Sequence, residues 1–100
     1  MIRISITKNG NYIKKITFKG HADYADYGKD IVCAAVSATM ICTVNAILSL
    51  NEKAISFVHE KDLNVVNVLS FDDVTVKLID NMIRCFESLE KQYPKNIEIK

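Results

Sequence analysis

A histidine and a cysteine stand twelve residues apart near the N-terminus of this chain, at His21 and Cys33. These two residue types form the thiolate–imidazole pair of cysteine hydrolases, in which the thiolate is the nucleophile and the imidazole moves the proton. The segment between them, residues 22–29, is polar and contains tyrosine and glycine, as loops do. A chain reversal there would bring the two side chains together, so the spacing predicts a cysteine hydrolase.

The residues around Cys33 favour the thiolate form of its side chain. Asp30 is the predicted N-cap of a helix that begins near Ile31, which places Cys33 in the first helical turn. Unpaired backbone N–H groups and the positive end of the helix dipole lie there, and both stabilise a thiolate. The Asp30 carboxylate would repel the thiolate, so we interpret Asp30 first as a helix anchor. The backbone N–H groups around Cys33 and Ala34 would stabilise the oxyanion of a tetrahedral intermediate.

Other residues near the pair have both a functional and a purely structural interpretation. Ser37 lies one helical turn after Cys33, where it would hydrogen-bond the thiolate or the substrate, or only permit close helix packing. Two loop tyrosines would line a substrate pocket and a glycine would be the flexible point of a lid, or the tyrosines would only cover the edge of the core. The predicted substrate loop contains Ala22, Tyr24, Tyr27 and Gly28.

Composition limits the classes to which the protein can belong. The 100 residues, 49% of them apolar, contain no linker-like segment and predict one domain over residues 1–100. Thirteen basic and 12 acidic residues are too balanced to indicate a nucleic-acid binder.

Three cysteines cannot all pair, and the first residues alternate as a strand does instead of opening a signal peptide, so we expect a cytoplasmic protein. Zinc-site spacings and phosphate-binding glycine motifs are absent from the sequence, and we expect neither a metal nor a cofactor.

Hydrophobic periodicity predicts an α+β fold. Asn9-Gly10 is typical of a hairpin turn between two strands whose apolar and polar residues alternate. Asp72-Asp73 is typical of a helix N-cap, and Pro94 is typical of the end of a helix. The element order strand, strand, helix, strand, strand, helix and a short last strand indicates a small, mostly antiparallel sheet with two helices packed on one face. Beyond the first hairpin, the predicted elements are helices over about Ile31–Leu50 and Asp73–Gln92 and strands over about Ile55–His59, Leu63–Phe71 and Ile97–Ile99.

The first predicted helix has no charged residue over its 20 positions, which is long enough for a membrane span. We interpret it as a core helix instead, because serine, threonine and asparagine dilute it and the other segments have the periodicity of soluble elements. A helix that is apolar nearly all round is buried on several sides, which favours a homodimer or a second covering helix. Cys42 and Cys85 are predicted to be core residues, and His59 to be exposed or structural.

The segments Gly20-His21-Ala22 and Tyr27-Gly28 and the run from Asp30 to Ala38, DIVCAAVSA, together resemble the bacterial ribosomal-processing cysteine protease family, Prp. The resemblance implies an intracellular endopeptidase that removes the N-terminal extension of large-subunit ribosomal protein twenty-seven, cutting after hydrophobic, aromatic residues through a thioester intermediate. It implies that Cys33 is the nucleophile and His21 the general base and proton donor. It also implies a homodimer.

A second interpretation starts from the charge of the N-terminal hairpin. Residues 1–20 contain five basic residues and no acid, so the chain could instead be a non-catalytic ribosome-associated or RNA-binding module. The same charges also fit the solvated outer face of a sheet, and a peptidase would not need to bind nucleic acid directly. The two functions differ in what Cys33 does.

Overall fold

The computed structural model describes residues 1–20 and 31–100, and in these ranges it contains five strands and two helices. The element order is ββαββαβ, as predicted. The strand predicted over Leu63–Phe71 ends at Val68, because the backbone N–H groups of Leu69 and Ser70 turn away and both donate to the carbonyl of Ala54, at 2.8 and 3.0 Å. The elements are β1 (Ile2–Asn9), β2 (Tyr12–Lys19), α1 (Ile31–Leu50), β3 (Ile55–Glu60), β4 (Leu63–Val68), α2 (Asp73–Gln92) and β5 (Ile97–Ile99).

The strands form one mixed sheet in the order β3-β4-β2-β1-β5. Neighbouring strands are antiparallel except β1 and β5, which are parallel, so the prediction of a mostly antiparallel sheet is confirmed. Gly10, with φ of +65°, makes the predicted turn between β1 and β2. The register pairs Ile4 with Phe18 and Phe18 with Asn64, which aligns one row of side chains across three strands on the face that the helices cover.

Helix α2 is amphipathic, and its buried residues are Thr75, Ile79, Met82, Ile83 and Phe86. Asp72 caps its N-terminus: the carboxylate accepts hydrogen bonds from the Ser70 hydroxyl at 2.5 Å, the Thr75 hydroxyl at 2.8 Å and the Thr75 N–H at 3.2 Å. These bonds, the Ser70 hydroxyl first, lower the pKa of Asp72 to about 2. The helix therefore begins at the position that its cap predicts.

Helix α1 buries one face in the same core, through Val32, Val36, Met40, Val44 and Ile47. Among the described residues it is the one helix long and apolar enough to cross a membrane, with a mean hydropathy of 2.1 over its most apolar stretch. Its buried face packs on the sheet and on α2, which fits the prediction of a core helix. The opposite face is exposed and contains alanine, serine and isoleucine.

Candidate active site

Cys33 is the third residue of α1 and is half-buried at the mouth of a solvent-open cavity of about 280 Å³. First-turn N–H groups have no partner within a helix, so the thiol lies where the backbone favours a negative charge. Three elements enclose the described part of the cavity: the first two turns of α1, the centre of the sheet and the β3–β4 turn. Its lining residues are Ile2, Phe18, Gly20, Cys33, Val36, Ser37, Met40, His59, Glu60, Lys61, Asp62 and Asn64.

The floor of the cavity is apolar and belongs to the core. Ile2 and Phe18 are each 4% exposed, and the Phe18 ring packs edge-on against Phe86 of α2, with ring centroids 5.4 Å apart. These floor residues are also part of the packing between the sheet and the helices, so they set the distance between α1 and the sheet. The position of Cys33 therefore depends on core packing as well as on its own helix turn.

Gly20 ends β2 immediately before His21 and has a backbone conformation that only glycine adopts readily. Its φ is +89°, and a Cβ at this position would lie 2.6 Å from the backbone carbonyl oxygen of Met1. Its N–H donates a hydrogen bond of 3.2 Å to the carbonyl of Asp62 in the β3–β4 turn. Gly20 thus fixes the direction in which the chain leaves the sheet towards His21.

The structure brings two of the predicted site residues together. Cys33 and Ser37, one turn apart on α1, line the same cavity, and Ala34 is exposed beside them. The remaining predicted residues lie outside the described ranges. They are His21, Asp30 and the predicted substrate-loop residues Ala22, Tyr24, Tyr27 and Gly28.

The prediction that Cys42 and Cys85 are core residues is wrong, because both are exposed. Helix α1 is covered on one face only, and Cys42 lies on the other. Cys85 lies on the polar face of α2, next in sequence to the buried Phe86. Of the three cysteines, Cys33 alone lines the cavity described here.

Two polar residues of the cavity wall, His59 and Asn64, were not assigned to the site from the sequence, although His59 is exposed, as predicted. Both stand at positions where strand alternation would place an apolar side chain: His59 follows Ile55 and Phe57 at intervals of two, and Asn64 precedes Val66 and Val68. That alternation was the signal that could have found them, since it puts both side chains on the covered face of the sheet. Among the described residues, no three His, Cys, Asp or Glu side chains come together as a metal site would require.

Sequence comparison matches residues 1–98 to the family described as cysteine protease Prp. A relative from Staphylococcus aureus, the ribosomal processing cysteine protease Prp, is 30% identical over 103 aligned residues, which cover 99% of this chain and 97% of the relative. The protein of the same name from Bacillus subtilis is 27% identical over 107 residues, covering 99% and 96%. The similarity thus extends well beyond the segments around His21 and Cys33.

Structural comparison agrees with the sequence. The chain superposes on the essential ribosomal processing protease Prp from Staphylococcus aureus, crystallised with a covalently linked product peptide, with a TM-score of 0.90 and 26% identity over 100% of this chain and 98% of the other. A Streptococcus mutans protein of 25% identity gives a TM-score of 0.85, covering 100% and 92% of the two chains. With a family match over residues 1–98 and Cys33 at the mouth of an open cavity, this chain belongs to the Prp family of ribosomal-processing cysteine proteases and is a cysteine peptidase.

Proposed function

We propose that this peptidase removes the N-terminal extension of large-subunit ribosomal protein twenty-seven, with Cys33 as nucleophile and His21 as general base and proton donor. The observation that carries the proposal is the position of Cys33 in the first turn of α1, at the mouth of an open cavity, in a chain of a ribosomal-processing protease family. The relative from Staphylococcus aureus has been crystallised with a substrate peptide and with a covalently linked product peptide, which supports a peptide substrate here.

In the first chemical step, the Cys33 thiolate attacks the carbonyl carbon of the scissile peptide bond. The carbonyl oxygen takes the negative charge, and the N–H groups of the first turn of α1, near Cys33 and Ala34, are placed to stabilise it. The imidazolium of His21 then gives its proton to the leaving amine as the C–N bond breaks, which leaves the N-terminal extension as a thioester on Cys33.

The second step hydrolyses the thioester. His21, now neutral, takes a proton from a water molecule, and the resulting hydroxide attacks the thioester carbonyl. The C–S bond breaks, the extension leaves as a carboxylate, and the thiolate–imidazolium pair is restored. Ser37, exposed in the same cavity one turn from Cys33, is a candidate hydrogen-bond donor to the thiolate or to the substrate.

Substrate recognition is assigned to two parts of the molecule. The apolar floor at Ile2 and Phe18 suits a hydrophobic or aromatic residue next to the scissile bond. The predicted substrate loop, with Tyr24 and Tyr27, would supply aromatic side chains to contact such a residue. No cofactor is needed for this chemistry.

We further propose that the enzyme is a cytoplasmic homodimer. Helix α1 leaves Ala34, Ala38 and Ile41 exposed at intervals of four and three residues, which forms an apolar stripe along the helix. Ile41, 48% exposed, is the largest side chain of this stripe and would be removed from water by a second apolar surface. A second copy of the chain would supply that surface.

The alternative of a non-catalytic RNA-binding module loses its support, because the relatives are peptidases. The basic residues of the first hairpin are all exposed, and Arg3 lies 3.7 Å from the Glu98 carboxylate of β5, as expected of a solvated sheet face. Direct binding of nucleic acid is therefore not part of the proposal.

The proposal is tested by incubating the protein with ribosomal protein twenty-seven that carries its N-terminal extension, followed by intact mass measurement. We expect one defined N-terminal truncation with the wild type and none with Cys33→Ala. Circular dichroism of Cys33→Ala serves as the control for folding, because the half-buried Cys33 contributes little to the core. An intact substrate after reaction with folded, reduced wild-type protein would contradict the proposed substrate.

A further inference from the structure

The wall of the cavity opposite α1 contains an imidazole that the proposed mechanism does not use. His59 of β3 and Asn64 of β4 are cross-strand partners, and both line the cavity that contains Cys33. Asn64 is in turn the cross-strand partner of Phe18, the floor residue. His59, Asn64 and Phe18 therefore form one row across three strands, directed towards the first turns of α1.

The exposed His59 ring has two neighbours that orient it. Its Nδ1 hydrogen-bonds to the side-chain oxygen of Asn64, and its ring stacks on Phe57, with centroids 6.5 Å apart and planes 22° apart. An amide oxygen only accepts hydrogen bonds, so Nδ1 is the donor in this pair. In the neutral ring, Nε2 then has a free lone pair and is a hydrogen-bond acceptor.

A peptide that enters the cavity needs such an acceptor. Its backbone N–H groups lose water when the peptide lies between α1 and the β3–β4 turn, and an N–H left without a partner weakens binding. The first turn of α1 offers only N–H donors to the substrate, and the floor at Ile2 and Phe18 is apolar. Other acceptors line the cavity as well, namely the Ser37 hydroxyl and the carboxylates of Glu60 and Asp62. The His59 ring is the acceptor in the cross-strand row that ends at the floor residue Phe18.

We propose that His59 is a substrate-binding residue of this peptidase: its Nε2 accepts a hydrogen bond from the backbone of the peptide, and Asn64 is the positioning residue that holds the ring in the required tautomer. The proposal rests on the proposed function, because it assumes a peptide in the Cys33 cavity. It gives His59 no role in proton transfer. Glu60, the last residue of β3, and the turn residues Lys61 and Asp62 line the same cavity.

The structure offers a matched control on the same pair of strands. Asn67 of β4 hydrogen-bonds to its cross-strand partner Ser56 of β3 at 3.3 Å, as Asn64 bonds to His59. Asn67 is an odd number of residues from Asn64 and so points to the opposite face of the sheet, away from the cavity. Asn67→Ala therefore removes an equivalent cross-strand hydrogen bond without touching the proposed site.

The test measures binding and catalysis separately, with a synthetic peptide that spans the cleavage site of the extension. In a Cys33→Ala background, which cannot cleave, we expect His59→Ala to raise the Kd of the peptide about tenfold, the order expected for one lost hydrogen bond. Asn64→Ala should raise Kd about threefold, and His59→Gln, which keeps an acceptor, should restore most of the affinity. Asn67→Ala should leave Kd unchanged.

With Cys33 present, His59→Ala should raise KM while kcat stays within about twofold. The proposal would be overturned by an unchanged Kd in His59→Ala or by the absence of measurable peptide binding by Cys33→Ala. It would also be overturned by a fall in kcat with unchanged KM in His59→Ala, because that result would indicate a role in proton transfer. The two proposals fail differently. Absence of cleavage by the wild type contradicts the proposed function, whereas cleavage and binding that are indifferent to His59→Ala contradict only this inference.

Discussion

The backbone N–H of Gly20 donates to the carbonyl of Asp62 at 3.2 Å, which joins the end of β2 to the β3–β4 turn. Through this bond, the residue that precedes His21 is tied to the wall that contains His59. Gly20 at the end of β2 and the β3–β4 turn both line the cavity and are held together by this backbone hydrogen bond.

Replacement of Gly20 by alanine should harm both stability and activity. A non-glycine residue at positive φ costs roughly 1–2 kcal/mol, and here the new Cβ would also lie 2.6 Å from the Met1 carbonyl oxygen. We expect Gly20→Ala to lower Tm and to reduce kcat/KM at least about tenfold, because the clash with Met1 and the strain at Gly20 would shift the cavity wall that Gly20 and Asp62 form with Cys33.

Gly10→Ala is the matched control, since Gly10 also has a positive φ of +65° but has no atom within 4 Å of the position of a Cβ. Gly10→Ala should lose only the stability that a non-glycine residue at positive φ costs, and it should keep its activity. Equal losses of activity in the two variants, measured by peptide cleavage, would contradict a specific role of Gly20 in the cavity wall.

Cys33 should react with iodoacetamide faster than Cys42 and Cys85 near neutral pH. All three thiols are accessible at least in part, with Cys42 and Cys85 the more exposed, so accessibility alone predicts the opposite order. Cys33 differs from the other two in lying in the first turn of a helix, where backbone N–H groups attract negative charge in the attacking sulfur and the transition state. The rates follow from peptide mass mapping after timed labelling of the native protein. Slower labelling of Cys33 than of the other two would show that its helix position does not activate it.

The acid stability of the fold should depend on Asp72. Hydrogen bonds from Ser70 and Thr75 lower its pKa from 3.8 to about 2, so the folded state favours the charged form. The resulting stabilisation is complete above the unfolded pKa of 3.8 and is lost as pH falls through about 2. Asp72→Asn should therefore be less stable than the wild type near neutral pH, and the difference should shrink between pH 3.8 and 2. Urea unfolding across this range tests it, and a difference independent of pH would contradict the assigned cause.

The proposed dimer predicts that a charge on the exposed face of α1 separates the subunits. Ile41→Glu should convert a dimer into a monomer in light scattering after size-exclusion chromatography, because burying an unpaired carboxylate is costly. Val74→Glu is the control, since Val74 of α2 is 52% exposed and lies outside α1. The proposed dimer surface would be contradicted if the wild type were a monomer at micromolar concentration. It would also be contradicted if Ile41→Glu remained a dimer.

Much of the fold follows from local patterns in the sequence. The bounds of α1 and α2 agree with the apolar runs and with the Asp72 cap, and Asn9-Gly10 gives the first hairpin. The pairing of β5 with β1 could not be derived in this way, because a parallel pair brings together segments far apart in sequence and leaves no local turn signal. Register across the sheet was likewise set by tertiary packing.

Cys33 and Ser37 could be predicted as site residues, because their side chains suit the chemistry and the predicted helix places them one turn apart. Sequence reasoning was wrong about Cys42 and Cys85 because a helix covered on one face leaves apolar residues exposed on the other, and composition does not tell which face is covered. His59 and Asn64 were missed because their role depends on the cavity, which forms only when β3, β4 and α1 come together.

The central claim is that cleavage passes through a thioester on Cys33, and trapping of that intermediate tests it most directly. The wild type is mixed with ribosomal protein twenty-seven carrying its extension, the reaction is stopped in acid at short times, and the enzyme is analysed by intact mass and peptide mapping. We predict an adduct with the mass of the extension less one water molecule, located on Cys33 and absent from Cys33→Ala. An adduct on Cys42 or Cys85, or cleavage that persists in Cys33→Ala, would contradict the account.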